Sequence, residues 1–255
     1  PQSTSLLLDL TQHFSQEPLL HLSAFTLHPN FSKRDQLGFA TFYTAHVEKT
    51  PNNSETVRLH ESTVSKTLNF DAVITEWQLT TDKVINPSTK REVMRIAIPS
   101  PEHDIQQLSF NPYSKSWHED FSQLYIALPQ NPTLKQYPLY SGVILRILPQ
   151  KSTYESYTVL PSNPYYANEK IEKSIYLLGA GKIQQFIWPE KHSTNLLISH
   201  LYGSNDKPKQ LLSYSDGGDD WREQAPKEII YQSKKVISPV SYTNMTMTTS
   251  QTVQI

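Results

Sequence analysis

Cysteine is absent from this chain of 255 residues. That removes a disulfide framework, a thiolate metal site and a cysteine nucleophile together. Glycine is scarce, at seven residues, where an ordinary share of about 7% would supply more than twice as many. Long apolar runs are lacking: Leu6 to Leu8 and Tyr176 to Leu178 are the densest short ones. Both fall far short of the roughly 18 apolar residues of a membrane-spanning helix, so no membrane span is expected. A surplus of either charge is also missing. Lys and Arg number 23, Asp and Glu number 24, and the net charge is −1. Nothing marks a cationic surface that would wrap nucleic acid or anionic lipid. The opening residues Pro1 to Thr4 carry neither an initiator Met nor a basic-then-apolar signal pattern, so the chain reads as a processed or trimmed form.

What the chain does have is aromatic, β-branched and punctuated by proline. It carries 14 Tyr, 9 Phe, 4 Trp and 18 Pro, and no window sustains a helical apolar stripe. The expected fold class is all-β. Twelve short strands follow one another between turn signals, at 22–28, 39–48, 72–79, 92–98, 108–110, 124–128, 142–148, 174–178, 183–188, 195–200, 210–214 and 228–231.

An internal repeat groups them. An apolar strand ends at Pro29, a polar turn carries Lys33, and a second strand begins near Phe39; the same order recurs at Pro112, Lys115 and Leu124, and again at Pro189, Lys191 and Leu196. Proline cannot donate to a ladder, so it closes each first strand and opens the turn. Two more strands follow each hairpin. Four antiparallel strands per repeat is the blade of a β-propeller, of which three blades are recognisable here. The alternative is a two-layer β-sandwich with coincidental prolines.

These segments also resemble a known family. Leu7-Leu8-Asp9-Leu10-Thr11, then Glu17 and Leu19-Leu20, then Leu27-His28-Pro29-Asn30-Phe31 resemble the opening of the sugar dehydrogenases that depend on pyrroloquinoline quinone (PQQ), the glucose/sorbosone dehydrogenases. The order is kept along the chain by Ile74 to Trp77, Asn86 to Val93, His103 to Pro112, Leu124 to Ile126, Gly142 to Ile147, Asn163 to Tyr165, Ile175 to Phe186 and Leu211 to Trp221. Together they cover roughly residues 5 to 221.

The resemblance implies a six-bladed propeller, a single domain over 1–255, that binds PQQ near the axis. It implies oxidation of an aldose sugar there, with a His taking the hydroxyl proton while hydride passes from sugar C1 to the quinone. The family's His falls on His103. The family's Arg-Asn-Pro falls on Gly181-Lys182-Ile183, so Lys182 takes the place of a cation, as a point charge without a bidentate fork. Gln184 falls where the glucose-oxidising branch has a Gln. His103 is the expected base, with Lys182 and Gln184 as cofactor-binding residues. The family's Asn-Gly-Gly after the His is replaced by Asp104-Ile105-Gln106, which sets a β-branched residue where backbone would approach a ligand. After Trp221 no run of carboxylates is spaced like calcium ligands, so the family's calcium finds no recognisable site. An extracytoplasmic location and a small-molecule sugar partner follow from the same resemblance. The alternative function is a non-catalytic propeller that presents its loops to a partner or a carbohydrate.

Three blades are half of six. The chain therefore reads either as part of a longer protein or as a reduced form that has lost blades and pairs with a second copy. The Ser/Thr-rich end, 233–255, reads as one more strand or a tail. Tyr214 to Trp221 also matches the Asp-box turn of other propellers, in which Asp holds backbone amides, Gly supplies the left-handed residue and Trp packs between blades. Glu119 and Asp120 are adjacent in a polar turn and are expected to face water. His28, His46, His60 and His118 read as strand-end or surface residues. No phosphate loop, His-Glu-x-x-His helix or nucleophile elbow occurs.

Overall fold

A computed structural model describes residues 19–50, 68–80, 82, 84–130, 140–190, 194–202 and 209–232. His60 and the tail at 233–255 lie outside them. The described residues form twelve strands: β1 Leu19–Leu27, β2 Thr41–Lys49, β3 Phe70–Gln78, β4 Arg91–Ile98, β5 Gln107–Phe110, β6 Leu124–Leu128, β7 Val143–Ile147, β8 Ile175–Leu177, β9 Lys182–Ile187, β10 Leu196–Tyr202, β11 Lys209–Ser215 and β12 Glu228–Gln232. They form three four-stranded meanders in strict sequence order, β1-β2-β3-β4, β5-β6-β7-β8 and β9-β10-β11-β12. Every neighbouring pair is antiparallel.

Alternation along the middle blade shows how the sheets meet. Leu124, Ile126 and Leu128 of β6, with Val143, Leu145 and Ile147 of β7, pack on Ala45, Val47, Ile74 and Ile96 of the first blade. The intervening Tyr125, Ala127 and Ile144 turn the other way, onto Ile183, Phe186, Leu196 and Ile198 of the third. The middle blade is thus buried on both faces, each fully buried aliphatic side chain contributing roughly 1.5–3 kcal/mol. The first strands lead the stack, with β1 against β5 and β6 near β9. This is the face-to-face, radial order of propeller blades, and a two-layer sandwich does not accommodate it.

The repeat extends to backbone detail. Ala40 and Ser122, each just ahead of the second strand of its blade, have positive φ of 54° and 61°. At the third blade, Gly217 and Gly218 take φ of +89° and +81°, and Trp221 is buried between blades with its ring stacked on His200. The Ser215 hydroxyl, rather than Asp216, receives the turn amide of Gly217.

Asp120 does not face water. Burial raises its carboxyl pKa, and it accepts from Tyr125 Oη at 2.7 Å and Asn111 Nδ2 at 2.9 Å, with Arg146 Nη1 at 3.7 Å. The sequence pair Glu119-Asp120 hides this because the turn sends the two side chains in different directions. His28 and His46 are likewise buried rather than superficial, at 8% and 0% exposure.

Candidate functional site

The connection from the first blade to the second, residues 99–106, begins with Ser100 in an extended conformation followed by a single 3-10 turn, Pro101–His103. Proline suits the first position of such a turn, since its missing N–H would have no partner there. The loop is then pinned at several points. Ile105 is fully buried in the core between the first two blades. The β-branched side chain therefore points into packing. Asp104 accepts from His21 Nε2 and from Gln106 Nε2, both at 2.7 Å. Gln107 Nε2 donates to Phe186 O at 2.9 Å while its Oε1 accepts from Phe186 N at 2.8 Å, so a side chain makes a ladder rung between β5 and β9.

His103 is held by its inner nitrogen. Ser100 Oγ donates to Glu102 Oε2 at 2.5 Å and lies 2.8 Å from His103 Nδ1. With the serine proton given to the carboxylate, Nδ1 must be the protonated nitrogen, and it donates to Ser100 Oγ. Nε2 is left with a lone pair and no partner among the described residues. Burial holds His103 below the ordinary imidazole range; Glu102 and Asp104 pull it back up, and the charge of Lys182 adds to the depression. The result is an imidazole that is neutral at neutral pH, fixed in one tautomer and able to accept a proton. Ser100 in turn, by its hydrogen bond, holds the Glu102 carboxyl below its usual range.

Lys182 opens β9 and is exposed. It is near enough to His103 to act on its charge. Gln184 is placed differently: its Oε1 accepts from Ser199 Oγ at 3.1 Å and Gln210 Nε2 at 3.2 Å, inside the third blade. The structure therefore brings His103 and Lys182 to one corner and keeps Gln184 engaged with its own sheet. His21 is a site residue that motif reading missed. Its only signal was period-2 placement on β1, which cannot disclose a partner 83 positions away. Beside the corner, a pocket of about 170 Å³ opens at the junction of the second and third blades, between Gly181 and Arg222. Among the described residues, no group of three His, Asp or Glu is arranged to hold a metal ion.

The architecture has counterparts among solved structures. The chain is similar to a glucose dehydrogenase, at 14% identity over 84% of this chain and 55% of that one, with a TM-score of 0.54. It is similar also to the soluble aldose sugar dehydrogenase of Escherichia coli in its apo form, at 17% identity over 81% and 49% of the two chains, with a TM-score of 0.51. The fold is that of the sugar-dehydrogenase propellers. At these identities the likeness is one of fold, and the chain spans about half the length of those propeller dehydrogenases. No family model and no curated protein sequence matches it.

Proposed function

We propose that the chain is part of a PQQ-dependent sugar dehydrogenase in which His103 Nε2 removes the proton from the anomeric hydroxyl of an aldose. The observation that carries this reading is the Ser100-bound, neutral imidazole with its outer nitrogen open. When bound, PQQ supplies the acceptor for hydride from sugar C1. Its residues on this chain would be Lys182, whose exposed ammonium suits a quinone carboxylate, and Gln184, whose amide N–H remains to be offered. Glu102 and Asp104 would then stabilise the imidazolium that forms. The described blades would form part of a single propeller domain, its ring completed by further blades or by a second copy. An extracytoplasmic location belongs to the same reading.

One observation favours the non-catalytic alternative. Lys182 stands against two carboxylates, Glu102 and Asp104, around His103, a balance that suits a neutral ligand better than an anionic quinone. The two readings separate in one experiment. The protein is mixed with PQQ and calcium, binding is followed by intrinsic fluorescence, and dye reduction is measured with glucose beside a His103→Ala variant. Binding with His103-dependent turnover is expected. Absence of PQQ binding removes the enzyme reading, and equal turnover by His103→Ala removes the assignment of the base.

A further inference from the structure

On the face opposite His103, where the β1–β2 and β5–β6 turns lie, an open groove of about 520 Å³ runs between the first two blades. That size is typical of sites for small organic ligands. Its floor is a fixed polar network. Glu76 accepts from Tyr43 Oη at 2.8 Å and from Arg91 Nε and Nη2 at 3.0 and 2.8 Å. Arg91 also donates to the backbone oxygens of Pro149 and Ser156. The two charges cancel within the floor, and Lys151 is the remaining charged side chain of the lining.

His28 lines the groove and is more than nine-tenths buried. Its Nδ1 accepts from the backbone N of Asn30 at 3.0 Å, so Nε2 carries the hydrogen. That N–H has no partner among the described residues. Burial lowers the His28 pKa to about 4, which keeps the ring neutral. The Nε2 atom itself is open to solvent, so water serves it in the free protein and a ligand oxygen can take that water's place. Around it stand the Gln36 amide, the Asn30 amide, whose Nδ2 also donates to Leu37 O, and the Thr41 hydroxyl, which donates to Phe39 O and is left as an acceptor; the Phe121 ring lies at one side, with the Lys33 ammonium 5.9 Å from its centroid. Neutral donors and acceptors beside an aromatic face match a polyhydroxylated ring, which offers hydroxyls around its edge and apolar C–H groups on its face.

We infer that this groove is a saccharide-binding site, separate from the His103 corner and on the other face of the blades. The test is calorimetric titration of the full chain with maltotriose and, separately, with cellotriose. One of the two binds. His28→Asn keeps an acceptor for the Asn30 amide but removes the Nε2 donor, and it weakens binding at least tenfold. Gln36→Ala, at an exposed position, weakens it about threefold and covers the case in which the His28 variant does not fold. His103→Ala leaves the affinity unchanged, which distinguishes this site from the proposed catalytic one. Failure of both trisaccharides to bind overturns the inference. So does binding that survives the His28 and Gln36 changes, or binding that is lost with His103.

Discussion

His103 and His28 sit at opposite faces of the same pair of blades, and they present opposite chemistry. At His103 a serine oxygen receives the Nδ1 hydrogen, which leaves Nε2 as a base. At His28 a backbone amide donates to Nδ1, which leaves Nε2 as a donor. His200 is a third case, with Nδ1 on Ala180 O at 2.6 Å and Nε2 on Ser213 Oγ at 2.9 Å, so both nitrogens are used and the ring is structural. All three have pKa values below the ordinary imidazole range through burial. Burial makes them neutral; the partner on the inner nitrogen decides what each can do.

The largest effect expected of this contrast is catalytic. His103→Ala should lower dye-linked sugar oxidation by about 10²–10⁴-fold, the usual worth of a general base, while His28→Asn leaves it unchanged. Equal losses in the two variants, read as steady-state rates, would break the distinction.

The next effect is on stability against pH. His28 and His200 both have folded pKa values of about 4, against about 6.5 in an unfolded chain. Between those values the unfolded state binds more protons, so stability is full above about pH 6.5 and declines as pH falls towards 4. Each group accounts for at most about 3 kcal/mol. Urea midpoints at pH 7.5 and 5.0 measure the decline, and His200→Phe should make it shallower by removing one of the two protons.

Gly38→Ala sharpens the His28 side. Gly38 has φ of +87°, and an added Cβ would stand 1.9 Å from His28 Nδ1. The substitution should cost about 2 kcal/mol or more, visible as a lower thermal midpoint together with weakened trisaccharide binding. Normal binding and stability would mean that the ring is not held as described.

The smallest effect belongs to Ser100→Ala, which removes the acceptor of the Nδ1 hydrogen without touching the outer nitrogen. Turnover should fall several-fold and the acid limb of the kcat/KM profile should move to lower pH, because a hydrogen bond that favours the imidazolium is lost. A fall in rate with an unmoved profile would reduce Ser100 to packing.

The blades were legible because the strands carry their own signals. Leu124 to Leu128 and Val143 to Ile147 alternate between two cores, and Pro29 and Pro112 close the strands where expected, although β1 starts at Leu19, earlier than its apolar pattern indicated. The corner was legible only in part. The order of motifs marks His103 as a candidate, but His21 and the Gln107 rung on Phe186 join residues 83 and 79 positions apart, and no local pattern encodes such pairs. The groove was not legible at all. Glu76 and Arg91 look like ordinary polar strand residues until the register of β3 and β4 sets them opposite each other.

The amide of Gln107 has one more consequence. By taking both the backbone N–H and the backbone carbonyl of Phe186, it closes one rung of the β9 edge on which another chain could otherwise build. A bare edge of that kind is a template for intermolecular polymerisation. Here one glutamine shortens the stretch of that edge left to recruit a strand.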